Sequence, residues 1–192
     1  MTNIYFDFED GNGPVPAHQH SNGGGWVADT AKVDATARVD PDAQVYGNAK
    51  VYGDAWVSSN ARVYGYAEVF GKARVYGAVE VYGNAKVSGK ATVSGNARGY
   101  GNATVSGNAR VYGNAWVSGK ATVSGKATVS GNAQVYGDAE VYGDAKVSGN
   151  AKVCDDDRVC DDDQVYSYTK VQKETKKDRI FINELGLEIL RY

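Results

Sequence analysis

The sequence VYGNAK at residues 45–50, followed at once by VYGDAW at 51–56, is the repeat on which this chain is built. A valine recurs at every sixth position from Val27 to Val171, with Gly99 as the one exception. Alanine stands two positions before most of these valines, and glycine stands two positions after most of them. The period is therefore six residues, which neither an α-helix nor a plain alternating strand imposes.

Each six-residue repeat predicts a short strand followed by a corner. In a strand, residues two apart face the same side, so each valine and its preceding alanine share one face and the polar residue between them takes the other. The Gly-Asn, Gly-Asp and Gly-Lys pairs are turn sequences, because glycine accepts a positive φ. Three repeats then close one coil of a three-sided parallel β-helix, with about eight coils in all. An α-helix is excluded, since each glycine would cost about 1 kcal/mol.

These repeats resemble the hexapeptide-repeat superfamily, and the resemblance implies a left-handed, single-stranded parallel β-helix. The Tyr-Gly-Asn-Ala and Ser-Gly-Asn-Ala repeats, with Gly24-Gly25-Trp26 ahead of the first coil, are similar to uncharacterised hexapeptide-repeat proteins of phages and prophages. Many members of the superfamily are trimeric acyltransferases that use CoA donors. The resemblance therefore adds an enzymatic alternative to the purely structural prediction.

The chain divides into three predicted segments: an N-terminal cap and loop at 1–25, the β-helix at 26–171 and a C-terminal cap at 172–192. An open β-helix end exposes unpaired backbone groups, so each end needs a cover. Ile4, Phe6 and Phe8 alternate in a predicted strand that supplies the N-terminal cover. The apolar residues between 180 and 190 are expected to supply the C-terminal one.

Composition sets broad limits on partners and location. A net charge of −2 over 192 residues fits one domain and gives no polyanion-binding signature, so neither DNA nor RNA is expected as a partner. Cys154 and Cys160 are one repeat apart and fall on different sides of a three-sided coil, so they are expected to stay unpaired. No secretory segment or long apolar run is present. We therefore expect a cytoplasmic protein, in the host cytoplasm if it is phage-encoded, with no membrane partner.

Three positions depart from the repeat. Gly99 vacates a core valine position, and we expect the larger Val79, one coil earlier, to fill part of that space. Asp157 and Asp163 occupy inward alanine positions, where an unpaired carboxylate is costly. The coil is therefore expected to lose regularity between residues 155 and 163 unless these carboxylates find partners.

Two features are candidate metal sites. His18 and His20 form a His-x-His pair that would bring six imidazoles together around a threefold axis. Two ligands in one chain are too few alone, so hydrogen-bonded loop histidines are the favoured interpretation. The aspartates at 155–157 and 161–163 match no EF-hand loop, and a solvated acidic corner is preferred. We therefore expect no metal and no cofactor.

Outward residues that are eighteen positions apart lie on the same side of a three-sided coil, so the outward residues form three faces. The first face is aromatic. It carries Trp26, Tyr46, Tyr64, Tyr82, Tyr100, Trp116 and Tyr136. A continuous exposed aromatic stripe is typical of an interface. Self-association, rings stacked along their own face, and ligand stacking are the three interpretations. The first predicts a homo-oligomer, with a trimer favoured, whose contact includes Tyr64, Tyr82 and Tyr100.

The third face is cationic and aromatic, whereas the second mixes both signs of charge and indicates no function. The third face carries Arg38, Trp56, Arg74, Tyr76, Arg110 and Tyr112. Arginine can clamp a phosphate while a base or sugar stacks on tyrosine. This face is the candidate surface for a nucleotide-like anion, and a solvated basic face is the alternative.

The function expected from these features is non-catalytic. Hexapeptide-repeat acyltransferases need a general-base histidine and a protruding loop, and residues 26–171 contain neither. We expect a phage-encoded binding or scaffold protein that self-associates and binds a host protein or nucleotide-like molecule, sequestering or inhibiting a host factor. A structural or adhesive rod of a phage particle is the alternative, and a trimeric acyltransferase is the least favoured.

Overall fold

The structure, a computed structural model, describes residues 4–166 and, as backbone only, residues 170–171 and 181–182. The described residues form a single-stranded parallel β-helix with three sheets and about eight turns, and no helix occurs among them. The predicted three-sided architecture is confirmed. The predicted C-terminal cap at 172–192 lies outside the described residues, apart from a strand at Phe181–Ile182 that pairs antiparallel with Lys170–Val171.

Three sheets run along the solenoid, and each takes every third strand. The first sheet has ten strands: Tyr5–Phe6, Val15–Gln19, Trp26–Ala28, Gln44–Val45, Arg62–Val63, Glu80–Val81, Arg98–Gly99, Trp116–Val117, Gln134–Val135 and Lys152–Val153. The second has eight: Lys32–Val33, Lys50–Gly53, Glu68–Gly71, Lys86–Val87, Thr104–Val105, Thr122–Val123, Glu140–Val141 and Arg158–Val159. The third also has eight: Arg38–Val39, Trp56–Ser58, Arg74–Gly77, Thr92–Gly95, Arg110–Val111, Thr128–Val129, Lys146–Val147 and Gln164–Val165.

The register between coils is eighteen residues everywhere in the solenoid. Val45 pairs with Val63, and Val111 pairs with Val129. Because the register never slips, valine lies over valine and alanine over alanine through one continuous buried core. Nearly all of these side chains are at most 2 % exposed. The core is therefore narrow and uniform, which leaves function to the outward residues.

The corners depend on a left-handed backbone conformation that glycine supplies. Gly101 has a φ of 69°, and a Cβ there would lie 3.1 Å from the backbone of Gly119 in the next coil. Successive corner glycines therefore stack too closely for a side chain. Ser59, Asp155 and Asp161 hold the same left-handed conformation without being glycine, at φ of 56°, 57° and 54°.

The coil does not lose regularity at the aspartate-rich repeats, contrary to the expectation from sequence. Strands Arg158–Val159 and Gln164–Val165 keep the eighteen-residue register. Asp157, only 9 % exposed, accepts a hydrogen bond from the backbone N–H of Cys154 at 3.1 Å. Asp163 accepts the equivalent bond from Cys160 at 2.9 Å. These carboxylates have local backbone partners, so the coil need not deform. No disulfide joins Cys154 and Cys160.

The position that a Cβ of residue 99 would take is open. Gly99 pairs with Val81 on one side and Val117 on the other, in ordinary strand conformation. A Cβ added at Gly99 would meet no atom within 4 Å. Val79 is fully buried, but it sits at its own alanine position on the inner side of a corner. The core therefore keeps a small local void at Gly99.

Two different elements cover the N-terminal end. Strands Tyr5–Phe6 and Val15–Gln19 form an antiparallel hairpin that extends the first sheet beyond Trp26–Ala28. Phe8, 1 % exposed, packs on the outside of this sheet in a cluster separate from the valine core. The edge of the third sheet is covered by the loop that follows, where Gly25 donates to the carbonyl of Val39 and Asn22 accepts from its N–H. The predicted strand and the adjacent glycine-rich turn thus protect different edges.

Candidate ligand-binding face

Two outward columns of side chains run along each sheet, because every strand places one outward residue before its valine and one after it. Residues in a column are eighteen apart and lie on neighbouring strands. A column therefore behaves as a ladder with a rung about every 4.8 Å. The identity of successive rungs decides whether a column is filled by its own side chains or leaves room for something else.

On the first face, four tyrosines fill consecutive rungs of one column. Tyr46, Tyr64, Tyr82 and Tyr100 stack in parallel with ring centroids 4.9 to 5.1 Å apart. Phe8 stacks on Tyr46 at 4.8 Å and closes the N-terminal end of the column. We call these four residues the tyrosine stack. Apart from the Tyr100 face on the side of Ser118, their ring faces are covered by one another or by Phe8, so mainly ring edges remain for an outside partner.

The other three aromatic residues of the predicted ladder do not join this stack. Trp26 pairs in register with Gln44, and Trp116 pairs with Gln134, so both lie in the column before the valines. Trp26 stacks instead on Phe6 at 4.3 Å. Tyr136 is in the tyrosine column but is separated from Tyr100 by the rung of Ser118. Grouping residues by the eighteen-residue period placed these three residues on the correct face. It did not separate the two columns that each face contains.

Burial in the tyrosine stack suppresses phenol ionisation. Burial is the main cause that raises the pKa of Tyr64 from 10.0 to about 12, and the nearby Glu80 carboxylate acts in the same direction. Burial also raises the pKa of Tyr46 and of Tyr82. The Arg62 guanidinium lowers the pKa of Tyr46 and Tyr64, but the loss of solvation that a phenolate would suffer there raises it by more. The stack is therefore a neutral, apolar element.

The second face is neutralised by its own charges. Glu68 lies between Lys50 and Lys86, with contacts of 3.4 Å and 3.7 Å. A groove of about 560 Å³ runs over these rungs and the corner asparagines beside them. Lys50 and Lys86 therefore already share a carboxylate partner, and the part of the face around Glu68 offers no unpaired charge to an ionic ligand.

The third face is different because its charges are mostly of one sign. Its two columns contain four cationic residues and one carboxylate, namely Arg38, Arg74, Arg110, Lys146 and Asp40. Asp40 neutralises the first coil by contacting the Arg38 Nε at 2.6 Å and accepting a hydrogen bond from the Trp56 indole at 2.9 Å. Beyond Asp40, the outward residues of this sheet carry no acid.

Trp56 lies between two arginines of neighbouring rungs. The guanidinium of Arg38 is 5.4 Å from the Trp56 ring centroid, and that of Arg74 is 5.9 Å away. Both distances fall in the range of cation–π attraction. Arg38 and Arg74 are therefore held by an aromatic face. The charged side chains on the first three strands of this sheet thus have partners within the protein.

Arg110 has no such partner. Among the arginines of residues 4–166, it alone shows neither a carboxylate nor an aromatic face within contact distance. It is exposed, and Thr92 and Thr128 are its neighbours in the column. A cleft of about 280 Å³ lies beside it, lined by Thr92, Ser94, Gly95, Arg110, Tyr112 and Gly113. The predicted anion face thus contains one concave position next to one unpaired guanidinium.

Tyr112 lines this cleft, and Tyr76 lies on the neighbouring strand on the other side of Ser94. Tyr76 pairs in register with Ser94, and the next strand places Tyr112 beside Ser94 on the other side. Tyr76 and Tyr112 are 42 % and 41 % exposed, whereas Tyr46 in the filled column is only 5 % exposed. Serine at the intervening rung therefore leaves two aromatic surfaces accessible to solvent.

The two histidines make ordinary hydrogen bonds. His18 is exposed and its Nδ1 lies 2.8 Å from an Asp29 carboxylate oxygen. His20 is buried and its Nε2 lies 3.0 Å from the carbonyl of Ala37. Within the described residues, no group of three or more His, Cys, Asp or Glu side chains is placed to hold a metal ion. The same holds for the described aspartates of 155–163.

Comparison with known proteins supports the assignment of a β-solenoid repeat. A family model described as "YdcK Beta solenoid repeat" matches residues 43–59, 105–119 and 109–125. The chain is a β-solenoid repeat protein. Neither the curated proteins nor the solved structures give a significant match to it. In the described part of this solenoid, no helix has the length and apolar character needed to cross a membrane.

Proposed function

We propose that this β-solenoid protein is a non-catalytic binding protein that holds an anionic aromatic molecule, of the nucleotide type, on its third face. The observation that carries the proposal is the exposed Arg110 guanidinium without a protein partner, beside a cleft and next to exposed Tyr112. Arginine binds phosphate and carboxylate oxygens through paired N–H donors, and tyrosine stacks on planar rings. Both kinds of contact are available here without any rearrangement of the coil.

The size and charge of this face favour a small ligand. A cleft of about 280 Å³ is just below the usual range for small-molecule sites, which suits a small ligand. A net charge of −2 over the whole chain does not favour a nucleic acid polymer, whose binding needs many phosphate contacts. A single mononucleotide-sized anion therefore suits the face better than DNA or RNA does.

We further propose a biological setting for this binding: a phage-encoded protein that works in the host cytoplasm and sequesters a host molecule or inhibits a host factor. The rigid, loop-free solenoid suits sequestration, since its flat faces bind without a conformational change. The second candidate is a structural or adhesive rod of a phage particle. The regular eighteen-residue register supports it, since a straight stack of coils is stiff.

Self-association is part of the proposal. Trp116, 39 % exposed, and the ring edges of Tyr64, Tyr82 and Tyr100 lie together on the first face. Straight, flat-sided rods can pack side by side with their coils in register, and closed symmetry is the common result. We propose a homo-oligomer, with a trimer favoured, that uses this face and leaves the third face open.

Two measurements test these proposals. Native mass spectrometry of the freshly purified protein should show a bound small anion that the Arg110→Gln variant lacks, while Lys146→Gln on the same face retains it. Light scattering should give an oligomer mass that falls when Tyr64, Tyr82 and Tyr100 are all changed to serine. Wild-type protein that carries no ligand and binds no added nucleotide would contradict the binding proposal. A wild-type monomer would contradict the association proposal.

A further inference from the structure

The cleft beside Arg110 is a missing rung in an otherwise aromatic ladder. In the tyrosine stack, rings on adjacent coils lie 4.9 Å apart with planes within 3° to 4° of parallel. On the third face, Tyr76 and Tyr112 are two coils apart, a separation of about 9.6 Å along the solenoid. One planar ring placed over Ser94 would therefore stand about 4.8 Å from each tyrosine rung, the spacing that a tyrosine at this position would have.

The anion subsite lies across the same strand. Thr92 and Ser94 are two residues apart and both point outward, so their positions are separated by about 6.6 Å. Thr92 is flanked by Arg74 on one side and Arg110 on the other. Arg74 is engaged with Trp56, whereas Arg110 is unpaired and lines the cleft with Thr92. An anionic group over Thr92 can accept hydrogen bonds from the Arg110 guanidinium and the Thr92 hydroxyl.

We infer that this vacant rung binds a nucleoside monophosphate, with its base over Ser94 between Tyr76 and Tyr112 and its phosphate over Thr92 against Arg110. The inference rests on the proposed binding function and adds the position and the class of the ligand. The distance of about 6.6 Å between the two subsites matches one sugar between base and phosphate. No other described position combines an empty rung between two exposed tyrosines with an unpaired arginine on the neighbouring column.

The filled column shows why the first face does not offer the same site. Ser118 also lies between two tyrosine rungs, those of Tyr100 and Tyr136, but it is buried, at 8 % exposure. The residue at that rung in the other column is Trp116 rather than a threonine, and the adjacent Arg98 is paired with Glu80 at 3.1 Å. Ser94 is only half-buried. The third face is therefore the one with both an accessible rung and a free cation.

The decisive variant completes the ladder. Ser94→Tyr should place a ring between Tyr76 and Tyr112, raise the melting temperature by stacking, and abolish binding of AMP measured by calorimetry. The matched control is Ser88→Tyr, which adds the same ring next to Phe70 on the second face and should leave AMP binding unchanged. Circular dichroism of both variants shows that the β-helix is intact.

Further variants and ligands test the base subsite and the phosphate subsite separately. Tyr112→Ala should weaken AMP binding at least about tenfold through lost stacking. Arg110→Gln should weaken AMP about tenfold while leaving adenosine unaffected. Inorganic phosphate and adenosine should each bind more weakly than AMP, since each fills one subsite.

The outcomes are distinct. AMP binding that survives in folded Ser94→Tyr overturns the vacant-rung inference, and if Arg110→Gln still loses AMP, the broader proposal of an anion-binding face stands. Phosphate that competes as strongly as AMP overturns the base subsite. Wild-type protein that binds none of AMP, GMP and CMP overturns the inference, and the mass of a co-purified ligand then decides the broader proposal.

Discussion

A single missing side chain makes Gly99 a site where stability can be gained. Its position in the core is the one where every other coil has valine, and a Cβ there would meet no atom within 4 Å. Its backbone is ordinary strand, so a β-branched residue is suited to it. The open space therefore results from the missing side chain, and the backbone at residue 99 could accommodate valine.

We predict that Gly99→Ala raises the free energy of unfolding by about 1 kcal/mol and Gly99→Val by about 2 kcal/mol, from buried methyl groups and reduced backbone entropy. Chemical denaturation followed by circular dichroism measures both. The control is Gly101→Val, two residues away, where φ is 69° and a Cβ would lie 3.1 Å from the next coil. Gly101→Val should destabilise. A destabilised Gly99→Val would mean that the space is already filled.

Ser59 is the opposite case, a side chain at a corner that favours glycine. Its φ of 56° costs a non-glycine residue about 1 kcal/mol or more. We predict that Ser59→Gly stabilises the protein by about 1 kcal/mol. The neighbouring Ser58→Gly, inside strand Trp56–Ser58, should instead destabilise by about 0.5 to 1 kcal/mol. Equal shifts in the two melting temperatures would contradict the left-handed assignment of Ser59.

At the scale of single residues, the sequence was sufficient where the repeat is strict and insufficient where it is broken. The inward positions of valine and alanine followed from period six alone. The partners of Asp157 and Asp163 did not, because a carboxylate that bonds to a backbone N–H three residues earlier depends on the local turn. The open space at Gly99 also could not be predicted, since it depends on how closely the surrounding core side chains pack.

Among the elements, the tyrosine stack responds to pH in a defined direction. Neutral tyrosine is favoured in the folded state, because the pKa of Tyr64 is raised from 10.0 to about 12. The stabilising contribution is complete below pH 10 and is lost as the pH rises through about 12, since the unfolded chain ionises first. Ionisation of the tyrosine stack is thus expected to lower the stability of the solenoid at alkaline pH.

We predict that the melting temperature falls between pH 10 and 12 and that Tyr64→Phe removes part of this fall, since phenylalanine keeps the stacking without an ionisable group. Tyr66→Phe, at an exposed corner ring, is the matched control and should follow the wild-type profile. Thermal denaturation at a series of pH values checks both. Identical profiles for wild type and Tyr64→Phe would show that Tyr64 does not contribute to the alkaline transition.

Element by element, sequence reasoning found the three faces and not the two columns within each. Trp116 and Tyr136 share a face, yet one stands before its valine and the other after it. Residue identity at eighteen-residue spacing distinguishes the column of Tyr46–Tyr100 from the one around Ser94, whereas the stacking of the rings had to be seen in the structure. The candidate cationic face could be predicted from residue type, whereas the pairing of Arg74 with Trp56 and the isolation of Arg110 could not.

For the whole molecule, stability is distributed along one axis, since each coil touches only its neighbours. A change at one end should therefore be felt locally. Phe8 is the test case, because it is 1 % exposed and stacks on Tyr46 at the N-terminal end of the column.

We predict that Phe8→Ala, at a local cost of about 3 to 5 kcal/mol, increases amide hydrogen exchange in residues 26–64 and leaves exchange in residues 105–150 unchanged. Tyr5→Ala removes a ring that is 57 % exposed and should alter neither region. Exchange followed by mass spectrometry resolves the two segments. Faster exchange along the full solenoid would show that the coils unfold as one cooperative unit.

The constant register has a consequence for how such a gene can change in length. Gain or loss of six residues keeps every valine inside, yet it carries each downstream side chain to a neighbouring face. After a gain of six residues, for example, the arginine column of the third face would continue with the lysines and glutamates of the second. Gain or loss of eighteen residues keeps both the interior and the faces. Duplication can thus lengthen the interior in units of one repeat, whereas a surface that binds something can be inherited intact only in units of one full turn.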